Sequence, residues 1–525
     1  MRKKESRSFR KVACVALALF TACTFVACVR KAPSSETAAD HSILRIATSF
    51  KIQSLEPTKA GHYFLVEYGV VELPLIRDET NQIVPWLLES YARIDDLNWR
   101  LTLRPNVQFQ NGKQLTATRF AAALNRQIAQ AASTKAMMPG AKVVVTGDRE
   151  MTLTTPRPDP NVPASLADEF VFPIYDVEAI EAAVKNDEAL LNCNCYTGPY
   201  RLVSLNDREM KLDSNVRYWR GVPPLKGILV RFVPDAQARI LAVQNGEADV
   251  ALYPPTEAKR MLANRNDAFF VVNPTSSGGP TLIFNVRNAP FDETAVRRAF
   301  SLGLNYEALA RNVMDGVYGT GTGFYPPSFS WAIQNQRSDG AEAGRLLTSA
   351  GWLAGPNGVR FRDGKALEAV LLVYPQQPDL ITLATALQGQ ATELGFQLKI
   401  RQVDDIYAGM GNHADWNIAV DFSGVVTTGG APGPILRDSL RSDAEENYGG
   451  VADDELNKAI DELVHTFEMA RRTELLKRIQ EIVIAEKAYE IRPVFSHSRV
   501  VVGPAYRNYK PSMALHVVTY ETKPG

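Results

Sequence analysis

Asn273-Pro274-Thr275-Ser276-Ser277-Gly278-Gly279-Pro280-Thr281-Leu282-Ile283-Phe284-Asn285-Val286 divides this chain in two. Its first part is proline, glycine and small polar residues, a composition that breaks regular elements. Its second part, Thr281 to Val286, reads as a strand. Upstream, Ile43-Leu44-Arg45-Ile46-Ala47 reads as an opening strand, and Trp99-Arg100-Leu101-Thr102-Leu103 alternates at period two, as do Met151-Thr152-Leu153. Asn111-Gly112 occupies a turn after Val107 and Phe109. Helical spacing covers 117–131 and 236–245, the latter stopped by Gly246. Downstream, helices over 293–304 and 341–350 lead into a strand at 369–374, a helix at 380–394 and a strand at 396–403. That succession favours an α/β lobe. Amphipathic helices at 453–467 and 471–486 follow, and Val500-Val501-Val502 is strand-like.

The amino terminus sets the compartment. Arg2, Lys3, Lys4, Arg7, Arg10 and Lys11 precede the apolar stretch 12–27, which is uncharged and interrupted only by Thr21 and Thr24. It is short for a membrane span, so it reads as a removable signal peptide. Phe25-Val26-Ala27-Cys28 resembles the lipobox of bacterial lipoproteins, with Phe25 where leucine is usual, and Phe20-Thr21-Ala22-Cys23 is a second, weaker match. The expectation is a signal peptide over 1–28, lipid attachment at Cys28, a flexible tether over 29–42 and a folded part from Ile43.

Lys plus Arg and Asp plus Glu balance at 58 each, so there is no basic footprint for nucleic acid. Beyond the signal region the only cysteines are Cys193 and Cys195, in Asn192-Cys193-Asn194-Cys195. Residues two apart make a strained disulfide; free thiols, a labile disulfide and half of a metal site all stay open. No second ligand pair stands at zinc spacing, so no metal is assigned.

Enzyme motifs are absent. There is no Gly-x-Ser-x-Gly elbow, His-Glu-x-x-His helix or Walker A loop, and none of His41, His62, His413, His465, His497 and His516 is within helical reach of another. Gly319-Thr320-Gly321-Thr322-Gly323 lacks the strand-before, helix-after setting of a phosphate cradle and reads as a flexible crossing loop. No catalytic residue or cofactor is expected, and a secreted hydrolase is the alternative from another class.

Five ordered segments together resemble the family-5 extracellular solute-binding proteins, the oligopeptide, dipeptide and nickel receptors of ABC importers. They are Val84 to Tyr91 with Trp99 to Gly112; Tyr196-Thr197-Gly198-Pro199-Tyr200 with Asn215 to Trp219; Pro234-Asp235 through Asn245-Gly246-Glu247-Ala248-Asp249; Phe284-Asn285 with Pro290-Phe291-Asp292 and Val296 to Phe300; and Ala341 through Ala350-Gly351-Trp352. The resemblance implies an α/β, two-lobed periplasmic-binding-protein-like clamp of type II, in the large family-5 form with mixed sheets. It implies lobe I at 43–275, lobe II at 276–496 and a return to lobe I at 497–525. It further implies a monomer outside the cytoplasm, held to the cell membrane by its lipid or periplasmic where the envelope has two membranes. Such a receptor closes on a solute and passes it to ABC permease subunits. Trp99, Phe109, Tyr200 and Trp219 are expected to specify the fold rather than touch the solute.

The family's peptide receptors carry a tryptophan followed by an Asp-Tyr-Pro-Asp-Pro-like run whose first aspartate pairs with the peptide amine. The matching stretch runs from Asp415-Trp416 to Pro434 and has no carboxylate after Val426. Gly430-Ala431-Pro432 followed by Pro434 is similar to the nickel and metallophore branch, yet Thr427 stands where that branch has an arginine. Phe170-Val171-Phe172-Pro173 likewise lacks the arginine the branch places in the first lobe. Arg437 is a substitute for the clamp or, in its helical setting, a surface residue. The expected cleft lining is His62, Tyr63, Phe422, Thr427, Thr428 and Gly429, suited to a peptide-like or amino-acid-derived solute. A nickel or metallophore chelate is the alternative.

Overall fold

A twelve-stranded mixed sheet runs through the molecule. The structure, a computed structural model, describes residues 41–59, 61–78, 82–375, 377–412, 415–424, 432–512 and 517–525. The signal peptide, Cys28, the tether up to residue 40, and Thr427, Thr428 and Gly429 lie outside the described residues. The principal strands are β1 (Ile43–Thr48), β2 (Tyr200–Leu205), β3 (Glu209–Ser214), β4 (Gly227–Phe232), β5 (Val250–Leu252), β6 (Phe269–Phe284), β7 (Glu368–Val373), β8 (Gln397–Gln402), β9 (Ile418–Gly424) and β10 (Val494–Val502). They lie side by side as β8-β7-β9-β6-β10-β5-β1-β4-β3-β2.

Strand composition follows position. Central β1 has parallel neighbours on both sides, β4 and β5, and buries Leu44, Ile46, Ala47 and Thr48 from both faces, as a doubly covered strand must. Edge strand β2 opens with buried and exposed residues in alternation, the pattern of a sheet with one wet face.

Two strands cross between the lobes. The first half of β6 pairs with β10, Phe269 opposite Val502 to Val272 opposite Arg499; its second half pairs with β9, Gly278 opposite Gly424 to Phe284 opposite Ile418. The breaker-rich stretch at 273–280, read as a boundary, lies in the middle of a sixteen-residue strand at the point where its pairing changes from β10 to β9. Antiparallel partners on either side supply its hydrogen bonds. Register shifts between Val272 and Ser276, and between Ser276 and Gly278, absorb its irregularity.

Strand direction then fixes where a ligand can sit. β1, β4 and β5 are mutually parallel in lobe I, and β7, β8 and β9 are mutually parallel in lobe II. β9 is antiparallel to β6, which is antiparallel to β10, which is antiparallel to β5. The carboxyl ends of the two parallel sets consequently point at each other across the junction, and those ends are where open α/β sheets bind ligands.

Lobe I also carries α1 (Tyr63–Glu67) and a four-stranded sheet built from Leu88–Arg93, Asn98–Leu103, Glu150–Thr154 and Lys142–Val145. The helix α2 (Ala117–Gln130) lies beside that sheet and is capped by the Thr116 hydroxyl. Trp99, Leu101, Phe109, Phe120 and Phe172 share the core there, and Tyr200 is buried with Tyr68 and Val230 in the neighbouring cluster. Lobe II packs Phe284, Phe291, Phe300 and Phe396 beside α3 (Pro378–Glu393). Three helices, α4 (Pro432–Leu440), α5 (Asp454–His465) and α6 (Met469–Gln480), pack around Leu456, Ile460, Leu475 and Ile479. The helix expected through residue 486 ends in a wider π-type turn, Glu481–Glu486.

One expectation changes and one open choice is resolved. The glycine run at 319–323 is not flexible: Gly319 and Thr320 pair with β10, and a Cβ on Gly321 would stand 1.7 Å from the Arg492 carbonyl oxygen. Close backbone approach, not mobility, explains those glycines. Of the three states left open for Cys193 and Cys195, the structure has the disulfide, with Cα atoms 5.1 Å apart.

Candidate functional site

The facing strand ends carry aromatic side chains. Phe50 follows β1, Tyr253 follows β5, Tyr374 follows β7, and Phe422 lies near the end of β9. On the lobe I side, Arg239 holds the strand ends by donating to the carbonyls of Leu252 at 3.0 Å, Tyr253 at 2.9 Å, and Val233 and Pro234 at 2.8 Å. Tyr253 takes φ 52, a costly region for a bulky side chain, and such strain collects at ligand sites. It keeps 37 % of its surface accessible, yet burial pushes its hydroxyl pKa well up, the combination of a group on the floor of a cleft.

The expected lobe I residues lie beside this floor. His62 is buried at the start of α1 with Nδ1 2.9 Å from the Lys59 carbonyl; burial lowers its pKa and keeps the ring neutral. Half-buried Tyr63 packs on Phe64 at 4.2 Å and on Phe170 at 4.5 Å between ring centroids, and burial, then the charge of Glu67, pushes its hydroxyl up to about 12. Phe50 meets Tyr253 edge-on at 5.0 Å and stacks on Phe64 at 5.9 Å. On the lobe II side Phe422 is half-buried against the core of that lobe. Neighbouring Asp421 is pushed up to about 6, chiefly by burial, with Arg492 pulling the other way.

Carboxylates that sequence reading missed adjoin Tyr63. Glu67 stands one helical turn beyond it, on the same face of α1. It is 1 % exposed, and neither carboxyl oxygen meets a hydrogen-bond partner among the described residues. Burial first, and then Glu169, push its pKa well above the usual range. Asp168 and Glu169 are also buried, immediately before Phe170, where an arginine was sought; Arg77 lies in their field. The Glu67 signal was present in its spacing from Tyr63, but nothing in the sequence said that the face was buried.

Contacts between the lobes flank this region on both sides. Near the crossing strands, Arg499 pairs with Asp379, whose other partners are the Tyr318 hydroxyl at 2.9 Å and Thr256 of lobe I. At the far edge Arg472 donates to Asn161 at 2.9 Å, His465 Nδ1 lies 2.8 Å from the Pro158 carbonyl, and Phe467 sits by Trp99. Arg437 pairs with Asp438 at 2.8 Å and reaches across to the Ala136 carbonyl at 3.1 Å, so it ties the lobes together. Among the described residues no group of three or more His, Cys, Asp or Glu could hold a metal ion, and no helix is long and apolar enough to cross a membrane.

Residues 82–443 match the family described as bacterial extracellular solute-binding proteins, family 5 Middle. The nickel-binding protein NikA of Staphylococcus aureus is 22 % identical over 488 residues, 91 % of this chain and 94 % of that one. The glutathione-binding protein GsiB of Salmonella typhimurium is 30 % identical over 283 residues, 52 % of this chain and 54 % of that one. The crystal structure of NikA from Brucella suis in complex with Fe(III)-EDTA superimposes with a TM-score of 0.81 at 17 % identity, covering 92 % of this chain and 99 % of that chain.

Proposed function

The chain belongs to the bacterial extracellular solute-binding proteins of family 5, and on that footing we propose that it captures a small peptide-like or amino-acid-derived solute by lobe closure and delivers it to ABC permease subunits. The observation that carries this reading is the junction itself: two sets of parallel strands present their carboxyl ends to each other, lined by Phe50, Tyr253, Tyr374 and Phe422. Aromatic walls with a few polar groups suit a solute of that kind. His62, Tyr63, Phe422, Thr427, Thr428 and Gly429 are proposed as its contacts. Lobe I is taken as 43–275 with 497–525, and lobe II as 276–496. The protein acts as a binding protein rather than an enzyme, and Cys28 anchors it to the membrane through lipid; Cys28→Ala should move it to the soluble fraction.

A nickel or metallophore chelate is the second reading. It is favoured by the nickel-binding relative and by the neutral imidazole of His62, the form that coordinates metal. Native mass spectrometry of the protein purified without denaturation tests both readings. A retained amino-acid-derived species supports the first, a metal-bearing mass supports the second, and a retained lipid or sugar sinks both.

A further inference from the structure

Glu67 is costly as it stands. A buried carboxyl with neither oxygen partnered loses its hydration and gains nothing in return. The charged groups acting on it do not help: Glu169 repels it, and no cation contributes to its shifted titration. The other groups facing it are hydroxyls, of Tyr63 and Tyr68 from its own segment, Tyr253 from the end of β5 and Tyr509 from the carboxy-terminal stretch, each of which feels its charge. Neighbouring His62 is kept neutral by burial, and Arg77 lies in the field of Asp168 and Glu169. Burial, and then the charge of Glu169, therefore favour the protonated form of Glu67. It is a latent negative charge on the Tyr63 face of α1.

We propose that the Glu67 carboxylate, walled by Tyr63, Tyr253 and Tyr509, is the counter-charge for a positively charged nitrogen group of the captured solute. This rests on the receptor reading above and narrows its solute class to those with a guanidinium, ammonium or imidazolium. A bare metal ion is a poor occupant, because too few donors converge among the described residues. A nitrogen cation needs only the carboxylate and electron-rich ring faces, and aromatic walls supply the second. Binding then deprotonates Glu67, so affinity rises with pH below its shifted pKa, by up to about tenfold per pH unit.

The test is calorimetric titration of the full chain with pairs matched except for charge: L-arginine against L-citrulline, glycyl-L-arginine against glycyl-L-citrulline, with the nickel bis-histidine chelate alongside. The expected result is at least tenfold preference for the cationic member and release of about one proton, read from the buffer dependence of the heat. Glu67→Gln should reduce that preference to within twofold and abolish proton release while melting cooperatively; Glu67→Asp should keep part of it. Equal binding of both members, a preference that survives Glu67→Gln, or binding of the chelate alone overturns the inference and leaves the receptor reading standing. Binding of no probe overturns the inference and the amino-acid-derived solute class together.

Discussion

Glu67 and Glu72 are both buried, both belong to the stretch that leaves α1, and both have pKa values raised chiefly by burial. Their surroundings differ completely. The Glu72 carboxylate accepts the Trp86 indole N–H at 2.8 Å, the Tyr218 hydroxyl at 2.6 Å and the Trp219 indole N–H at 3.2 Å. Glu67 accepts no hydrogen bond among the described residues. A saturated buried acid joins distant segments, here tying residue 72 to two others more than a hundred positions away. An unsaturated one is a site where the fold bears a desolvation cost that a new hydrogen-bond partner would offset.

That contrast can be broken by mutation. Glu72→Ala strands three donors in the core and should cost roughly 3–5 kcal/mol, read as a lower urea midpoint; a loss under about 1 kcal/mol would put the two acids in one class. Glu67→Gln should instead stabilise the empty protein above acidic pH. Because the folded pKa is raised, the native state of the wild type loses relative stability as pH climbs from the ordinary glutamate value of 4.5. The variant escapes this, gaining about 1.4 kcal/mol per pH unit until the folded pKa is reached.

Asp421 sharpens the comparison as an intermediate case, buried but within reach of the Arg492 charge. Its raised pKa places its stability loss between 3.8 and about 6. Asp421→Asn should therefore gain about 3 kcal/mol across that window and nothing further above it. Denaturation at pH 4 and pH 7.5 checks this, and a gain that keeps growing to pH 7.5 would mean that Arg492 does not limit the shift. The smallest effect belongs to the Cys193–Cys195 bridge. Closing so short a loop removes little chain entropy, so replacing both cysteines by serine should cost about 1.5 kcal/mol or less, measured by melting with and without the substitutions.

Much of the fold was legible locally. Helices at 117–131, 236–245 and 380–394 correspond to Ala117–Gln130, Ala236–Gln244 and Pro378–Glu393, because 3.6-residue periodicity and cap residues are written in adjacent positions. The stretch at 273–280 reads as a boundary, and β6 changes partners there; that it is strand rather than a break was not legible, because composition reports how a segment behaves without partners and β6 has partners on both sides. Gly319 to Gly323 misled for the same reason: a backbone pressed against Arg492 and a free loop both call for glycine. In the site, His62 and Tyr63 came from the family resemblance. Asp168, Glu169 and Tyr253 carried no motif.

The sequence by itself determined the family, the class of fold and the alternation of strands and helices. These depend on residues close in the chain or on motifs in a fixed order. Only the tertiary structure decided which acids are satisfied and which are not. Glu72 meets its donors only after Trp86, Tyr218 and Trp219 converge, and Glu67 becomes a buried acid only once Tyr253 and Tyr509, far from it in the chain, are brought within range of its charge. Desolvation depends on every atom around a group, and those atoms are gathered by packing rather than by sequence neighbourhood.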